Sequence, residues 1–548
     1  MSGNSRWIQF GALVAALLLV SCALPAGHAE ANSPVSSRWV KNLSGDEPPG
    51  EIWNDRSCEV AVSGPYVHVL WYSSIVDTYE KVYYCRSVDG GQTFQAKVEL
   101  YAETWGATRL AYGTEEKHLA VDGATVHVAF YKTIPTRQVL YFRSDDNGAS
   151  FTPQTFTEVD GAGYTYISAH QGKVSFTVLR NYYGWKSIVV YTSTDDGLTW
   201  EPHVAVGGFP VAENIAIKDL QRYGDHVHLL YTRSFYAGVT NVSATCATSL
   251  DDGVTFPHQQ VLTTPTPEGY ILTYSLQGNN YVPHLAVEGD NVLVVWGQND
   301  RYDWPVDWGS LYYRRSTDKG VTFSDAILLE RNRADGIGDM QFGSETVVLK
   351  GNYAYVVFIT YDSQIYLRRS GSSGAAFAPH QKLTATGLWN IGGGWWPTVQ
   401  THPTDGAKVH VYSKGTLYWY SGDGGATITK PVFAMPFVGG NQESGPRLAV
   451  GADGVAHLAD TNKYGVGDSD VFYRRLDPAG APTGEMALKT LSFADPTPFD
   501  WRHDCMVVPS SSYLNFDTKL TAEVWVKPLP GGRGTGTTAN EQTIFQKV

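Results

Sequence analysis

An eight-residue pattern recurs along the chain and constrains its fold more than any other feature. In the pattern Ser-x-Asp-x-Gly-x-Thr-Phe/Trp, an aspartate and a glycine keep a fixed spacing. Copies occupy residues 87–94, 144–151, 193–200, 249–256 and 316–323, and worn copies follow at 370–377 and 421–428. A unit repeated at intervals of about fifty residues predicts a repeat architecture instead of several unrelated domains.

Three strand-like runs precede each copy of the octapeptide, and a fourth follows it. Around the fifth copy these runs are residues 284–287, 292–296, 310–314 and 326–329. Short strands at this spacing, in a chain rich in glycine and aromatic residues, predict an all-β propeller of four-stranded blades. Eight units can be counted, so we expect eight blades, with seven as the alternative. The strand-like segment 39–43 could close the ring against the last blade.

The chemistry of the octapeptide is that of a tight turn. The aspartate can accept hydrogen bonds from N–H groups of its own turn, and the glycine supplies a positive φ. The pattern resembles the Asp-box, or BNR repeat, of the sialidase superfamily. In families with this repeat the turns lie away from the ligand face, so the resemblance implies a structural role for them.

The N-terminus, residues 1–31, has the features of a signal peptide. Arg6 precedes an apolar run at residues 10–20 that is too short to span a bilayer comfortably. Cys22 follows in a context that resembles a bacterial lipobox, which would make it a lipidation site; cleavage near residues 27–31 is the alternative. Both interpretations predict an exported protein, either a bacterial cell-surface or outer-membrane lipoprotein or a secreted protein. Membrane contact is expected only through a lipid on Cys22.

The repeat stops near residue 490, so we expect the propeller to occupy residues 38–490. The following residues, 491–548, resemble the opening of a LamG-like, concanavalin-type jelly roll. The resemblance is carried by the runs at residues 507–516, 522–528 and 543–547. A sandwich of that type needs roughly three times as many residues to pair its strands. The segment is therefore expected to be the N-terminal part of a truncated domain.

Charge and cysteine content exclude several functions. The formal net charge is −13, with 54 acidic and 41 basic residues, and no basic cluster of the kind that binds nucleic acid is present. No cysteine pattern has zinc-like spacing, and we expect no metal and no cofactor. Cys58 and Cys85 are predicted to lie two strands apart, too far for a disulfide. They are expected to be buried free thiols.

The first strand of each propeller blade lines the central channel. Aligned on the turn glycine, this position holds Glu59, His118, Ile167, Asp219, His284, Thr346, Thr398 and Arg447. Polar residues on otherwise apolar strands indicate either a solvated channel or a ligand site. Aromatic rings and charged groups are the usual contacts of sugars. The ligand-binding candidates are Glu59, His118 and His284 in the channel, and Tyr302, Trp304, Trp396 and Glu443 in the loops.

Two functional hypotheses remain. Catalytic sialidases resemble six-bladed propellers with an Arg-Ile-Pro-like motif in the first blade, which this chain lacks. That departure favours a propeller that recognises extracellular glycans or glycoproteins without catalysis. The alternative is an exo-acting hydrolase of sialidase type. The resemblance to sialidases then implies a tyrosine nucleophile and an arginine clamp. Its candidate residues are Asp55 or Asp219 as acid/base, and Arg56, Arg301 and Arg447 as the clamp.

Overall fold

The part of the chain that the structure describes consists of strands and turns. The computed structural model describes residues 40–45, 53–75, 79–104, 110–111, 116–132, 137–157, 161–163, 165–234, 242–263, 283–303, 306–331, 340, 346–360, 364–384, 397–413, 417–429, 432–433, 447–464 and 468–477. The predicted signal peptide with Cys22 and the predicted LamG-like segment 491–548 lie outside these residues.

The strands of the first four blades follow one another in the sequence. After β1 (Val40–Asn42), they are β2 (Trp53–Ser63), β3 (Tyr66–Ile75), β4 (Tyr79–Ser87) and β5 (Val98–Thr104) in blade 1; β6 (Leu110–Ala111), β7 (Leu119–Asp122), β8 (Thr125–Lys132), β9 (Gln138–Ser144) and β10 (Thr152–Thr157) in blade 2; β11 (Gly161–Gly163), β12 (Ile167–His170), β13 (Lys173–Tyr182), β14 (Trp185–Ser193) and β15 (Glu201–Pro210) in blade 3; and β16 (Asn214–Tyr223), β17 (His226–Ser234), β18 (Val242–Ser249) and β19 (His258–Val261) in blade 4.

The second half of the ring repeats this order. Its strands are β20 (His284–Glu288), β21 (Asn291–Asp303), β22 (Val306–Ser316) and β23 (Ile327–Arg331) in blade 5; β24 (Thr346–Lys350), β25 (Tyr353–Ile359), β26 (Ile365–Ser370) and β27 (Gln381–Lys382) in blade 6; β28 (Thr398–His402), β29 (Asp405–Ser413), β30 (Leu417–Ser421) and β31 (Val432–Phe433) in blade 7; and β32 (Arg447–Val450), β33 (Ala456–Tyr464) and β34 (Asp468–Leu476) in blade 8.

Eight blades close into a ring, as the repeat count predicted. Each innermost strand contacts the next one in the order β2, β7, β12, β16, β20, β24, β28, β32 and back to β2. The N-terminal strand β1 completes blade 8, because Val40 pairs with Arg474 of β34 in antiparallel register. The predicted closing role of segment 39–43 is therefore confirmed, and the seven-bladed alternative is wrong.

The core lies between the blades. Strand β8 is buried along its whole length. Its side chains alternate between two clusters: Val128 and Phe130 pack with blade 1, whereas Ala129 and Tyr131 pack with blade 3. Buried apolar clusters of this kind join all eight pairs of adjacent blades. A middle strand that is covered on both faces has a nearly continuous run of apolar residues, which is why the strand pattern in the sequence is strong there.

The recurring octapeptide forms the turn between the third and fourth strands. In blade 1, the N–H of Thr93 donates to Asp89 Oδ1 (2.8 Å), and its hydroxyl donates to Oδ2 (2.5 Å). Ser87 Oγ also donates to Asp89 Oδ1 (2.7 Å), and Gly91 has φ +82°. Burial acts to raise the pKa of Asp89, but the bonds from Thr93 and Ser87 lower it to about 2. The predicted roles of the aspartate and glycine are confirmed.

The octapeptide glycine also contacts the preceding blade, which the sequence did not predict. A Cβ added to Gly148 in blade 2 would collide with the Tyr84 hydroxyl of blade 1. Tyr84 is held in place because its hydroxyl hydrogen-bonds to His68 Nδ1 at 2.6 Å. Burial lowers the pKa of His68 to about 4, so the imidazole is neutral at pH 7. Buried His–Tyr pairs recur in blades 2, 7 and 8.

The cysteines behave as the strand assignment predicted. Cys58 lies on β2 and Cys85 on β4, and both are buried free thiols, as is Cys246. Burial raises the pKa of Cys246 to about 12, and it raises the pKa values of Cys58 and Cys85 as well. These thiols are packing residues of the core.

Candidate functional site

A central cavity of about 720 Å³ runs between the innermost strands of the ring. Of the eight ring positions that the alignment predicted, six line it: Glu59, Asp219, His284, Thr346, Thr398 and Arg447. The cavity also receives side chains that the alignment missed, among them Glu116, Lys117, Tyr166 and Lys218. The volume is within the usual range for small-molecule sites. The described wall combines apolar residues with charged groups of both signs.

Two predicted ring positions point elsewhere, so that part of the prediction is wrong. His118 and Ile167 are fully buried and do not line the cavity. Ile167 packs with Ala120 and Phe176 in the cluster between blades 2 and 3. The alignment on turn glycines assumed the same side-chain orientation in every blade. Apolar packing and ion pairing turn these two side chains away from the channel.

His118 lies between two buried carboxylates. Its Nδ1 is 3.0 Å from Glu59 Oε1, and its Nε2 is 3.1 Å from Glu116 Oε2. Glu59 also accepts hydrogen bonds from the N–H groups of His118 (2.8 Å) and Leu119 (3.1 Å). Burial acts to lower the pKa of His118, but Glu116 and Glu59 raise it to about 9. The imidazolium therefore joins blades 1 and 2 beneath the cavity wall and is 0% exposed.

Two adjacent charged residues of β16 lie at the wall of the cavity, next to a β-bulge. The register of β16 against β17 shifts between Ile217 and Asp219, and both Lys218 and Asp219 line the cavity. Consecutive residues line the cavity on unbulged inner strands as well, for example Leu119 to Val121 and Arg447 to Val450, so the bulge is a local feature of β16 and not a requirement for this arrangement. Burial raises the pKa of Asp219, although Lys117 and the bonds from Gln221 and Leu220 oppose the shift. The carboxyl of Asp219 therefore lies at the cavity and loses its proton at a higher pH than an ordinary aspartate does.

Basic side chains lie at the wall of the cavity. Burial, assisted by Lys218 and Arg447, lowers the pKa of His284 to about 4, so this imidazole is neutral at pH 7. Arg447 on β32 is anchored through backbone carbonyls, since its Nε donates to Cys58 O at 3.3 Å and its Nη2 to Glu116 O at 3.5 Å. Lys117 is exposed at the same cavity. Because His118 neutralises much of the Glu59 and Glu116 charge, the cavity favours an anion.

Asp55, a candidate acid/base residue, lies in the seam between blades 8 and 1. Its side chain is 0% exposed and does not line the cavity. Neither carboxyl oxygen has a well-oriented hydrogen bond among the described residues, although Ser44 and Ser73 are close. Burial, together with the nearby Asp470, raises the pKa of Asp55 to about 7 against the opposing effect of both serines. A substrate in the cavity cannot reach this carboxyl.

A tyrosine–carboxylate pair does occur, but it is also buried. Tyr412 on β29 donates a hydrogen bond from its hydroxyl to Asp460 Oδ2 at 3.1 Å, and the two residues are 0% and 3% exposed. Burial and Asp460 raise the pKa of Tyr412 well above its ordinary value. A nucleophile needs the opposite shift and access to substrate. This pair therefore serves packing between blades 7 and 8.

The remaining predicted site residues fall outside the part of the chain whose side chains are described. Trp304, Trp396 and Glu443 are not among the described residues. For Arg56, Arg301 and Tyr302 the backbone alone is described: Arg56 pairs with Tyr72, and positions 301 and 302 pair with Trp308 and Asp307. Among the described side chains, Arg447 is the one arginine that lines the cavity.

Neither a metal centre nor a membrane span emerges from the described residues. Within them, His, Cys, Asp and Glu side chains form no group of three suited to a metal ion. The same residues include no helix long and apolar enough to cross a membrane.

Comparisons with known proteins returned structural matches only. No protein-family description and no curated protein matches the chain. The α-L-arabinanase of Penicillium chrysogenum, complexed with arabinobiose, is 11% identical, covers 67% of this chain and 94% of its own, and has a TM-score of 0.35. An ulvan lyase bound to -[GlcA(1-4)Rha3S]- is 12% identical, with 65% and 91% covered and a TM-score of 0.39.

A third match is the sialidase of Trypanosoma rangeli. It is 12% identical, covers 77% of this chain and 89% of its own, and has a TM-score of 0.34. All three names describe glycan-active enzymes. At these scores the matches assign no substrate or activity to this chain.

Proposed function

We propose that this protein is an exported propeller that binds acidic saccharides of extracellular glycans or glycoproteins in its central cavity, without cleaving them. The observation that carries the proposal is the cavity of about 720 Å³ with Lys117, Lys218 and Arg447 at its wall. Cationic groups in a partly enclosed site attract carboxylate or sulfate groups strongly. Export, as a lipoprotein anchored at Cys22 or as a secreted protein, follows from the N-terminal targeting sequence.

The absence of catalysis is supported by where the described candidate residues lie. Asp55 is buried in the seam, and the Tyr412–Asp460 pair is buried between blades. Among the described side chains, the cavity holds one arginine, whereas the sialidase resemblance implies a clamp of three. A carboxylate can be recognised by one arginine and neighbouring lysines without any group that attacks the glycosidic carbon.

One observation favours the alternative, an exo-acting glycoside hydrolase of sialidase type. Asp219 lines the cavity and its pKa is raised, which is the property of a general acid. In that case a tyrosine at the cavity would attack the glycosidic carbon and give its proton to a glutamate, while the bond from that carbon to the leaving oxygen breaks and Asp219 protonates the leaving oxygen. Tyr166 lies at the cavity wall but is only 3% exposed and packs in the apolar core between blades 3 and 4, so no tyrosine among the described cavity residues has the exposure that this attack needs.

The test incubates the folded protein with a pool of acidic and neutral oligosaccharides. Mass spectrometry detects any released monosaccharide, and calorimetry measures binding of the intact members. We expect binding of acidic members and no release. Lys117→Gln and Arg447→Ala should each weaken acidic ligands about tenfold and leave neutral ones unchanged. Lys382→Gln, an exposed lysine on the outermost strand β27, is the matched control.

The outcomes separate the hypotheses. If the folded wild-type protein binds no acidic saccharide, the proposed function is wrong. Release of sialic acid or another sugar, lost in Asp219→Asn, establishes the hydrolase instead. Lys117 is exposed, so its variant tests the charge even if Arg447→Ala fails to fold.

A further inference from the structure

The hairpin that joins β13 to β14 carries three exposed aromatic rings within four residues. Tyr182, Tyr183 and Trp185 are 52%, 83% and 55% exposed, and Gly184 separates the last two. Tyr182 pairs with Trp185, so Tyr183 and Gly184 form a two-residue turn. Large apolar side chains gain nothing for folding when they stay in water. Three of them at one tip therefore call for a functional explanation.

The backbone of this turn makes the choice of tyrosine still less favourable for folding. Tyr183 has φ +46° and Gly184 has φ +83°. Turns with two left-handed residues strongly prefer Asn-Gly or Asp-Gly, because a bulky side chain is strained in that region. Among the described residues other than glycine, those with positive φ include Asn147, Asp196 and Asp252, and Tyr183 is the one aromatic residue in the set.

One ring contact and one backbone hydrogen bond position the tip. The rings of Tyr182 and Tyr183 are 4.3 Å apart between centroids and meet edge to face at 77°. The carbonyl of Gly184 accepts a hydrogen bond from Val211 N at 2.8 Å, which ties the tip to the end of β15. Tyrosine and tryptophan offer a large contact area while losing little conformational entropy on binding.

The tip stands on the face of the ring opposite the octapeptide turns. Strand β14 runs from Trp185 at the tip to Ser193, where the octapeptide of blade 3 begins. In the same blade, Ile167 pairs with Phe176, and Tyr182 lies six residues further along β13. At about 3.3 Å per residue, the tip projects roughly 20 Å beyond that level. Ser168, beside Ile167, lines the cavity.

We propose that Tyr182, Tyr183 and Trp185 form a platform on which pyranose rings of an extended saccharide stack, outside the cavity. The proposal rests on the proposed function, since the same glycan would place its acidic residue in the cavity. Aromatic faces bind the C–H faces of neutral sugars without needing a charged partner. A lipid surface fits less well, because stable membrane attachment usually takes an amphipathic helix or lipid chains instead of one four-residue tip.

The experiment compares a short and a long ligand with the same acidic end. Calorimetry measures binding of 3′-sialyllactose and of 3′-sialylated poly-N-acetyllactosamine to wild type, Tyr183→Asn and Trp185→Ala. Each variant should bind the long ligand about fivefold more weakly and the short one unchanged, as expected for the loss of one aromatic contact. Leu198→Asn is the control, because Leu198 is 61% exposed on the octapeptide turn of the same blade.

Tyr183→Asn also separates a binding role from a structural one. The variant creates an Asn-Gly turn, so its melting temperature should rise while its affinity falls. A lower melting temperature, or equal affinity of all proteins for the long ligand, overturns the platform. Cosedimentation with phosphatidylglycerol vesicles that is lost in Trp185→Ala also overturns the platform, because it would mean that the tip binds a membrane.

The failure of the platform can be told apart from failure of the cavity. If 3′-sialyllactose does not bind, retardation in native gels containing neutral poly-N-acetyllactosamine still reports on the tip alone. Retardation that is lost in Trp185→Ala then supports the platform without the cavity. Absence of retardation in the wild-type protein overturns it.

Discussion

Replacing Asp55 by asparagine should make the protein more stable at alkaline pH. The carboxyl is fully buried beside Asp470, and its pKa is raised to about 7. The unfolded chain has the ordinary aspartate pKa of about 3.9. The folded state therefore holds a proton that the unfolded state releases more easily. The contribution of the Asp55 proton to stability is fully present below about pH 4 and is lost as the pH rises through 7.

The magnitude follows from the shift of the pKa. A shift of about three units corresponds to about 4 kcal/mol, since each unit is worth about 1.4 kcal/mol. Between pH 5 and pH 8 the contribution of Asp55 to the free energy of unfolding falls by about 3 kcal/mol, because part of the loss has already occurred at pH 5. Asparagine has nearly the same shape and does not ionise. The stability difference between variant and wild type should grow by about that amount over this range.

The assay is urea unfolding of both proteins at pH 5 and pH 8, followed by tryptophan fluorescence. Comparing the variant with wild type at each pH cancels the titration of groups that do not interact with Asp55. Wild type should lose stability relative to Asp55→Asn at pH 8. A stability difference that stays constant with pH would contradict this prediction, because it would mean that Asp55 remains ionised and paired in the folded state.

Two further predictions concern the contacts between blades. Gly148→Ala should destabilise the protein by about 4 kcal/mol, because Cβ displaces Tyr84 at a position with φ +77°. Gly123→Ala, at φ +60° with open space around it, should cost about 1 kcal/mol in the same thermal unfolding assay; equal losses would contradict the proposed contact. His118→Gln should cost about 3–5 kcal/mol at pH 7 by leaving two buried carboxylates uncompensated. In the wild type, the stabilisation by His118 should be lost as the pH rises through about 9. Wild-type unfolding curves that do not change between pH 7 and 10 would contradict this prediction.

Local chemistry let the sequence predict the scaffold. The octapeptide satisfies its own hydrogen bonds within four residues, so its turn forms in the same way in each copy. The apolar runs of the middle strands are strong because both faces of each blade are covered. Even the role of segment 39–43 could be predicted, since a strand-like run near the N-terminus is available to close the ring against the last blade.

The candidate site was predicted only in part. Ring positions such as Asp219, His284 and Arg447 could be read from the repeat because alternation along a strand is a local property. Lys218 was missed because the alignment took one position from each blade, whereas both Lys218 and Asp219 of β16 line the cavity. The strained turn of the aromatic tip at residues 182–185 required coordinates, because residue types alone do not show that Tyr183 has a positive φ.

Which residues meet across blades was decided by tertiary structure alone. His118 could be placed on an inner strand from the sequence, but its partners Glu59 and Glu116 surround it only when blades 1 and 2 pack. Asp55 became a buried carboxyl in the seam because strand β1 returns to complete blade 8. The sequence determines hydrogen bonds and side-chain alternation within each blade, since these involve near neighbours. Burial and pairing of charges depend on ring closure, which brings together residues that are hundreds of positions apart.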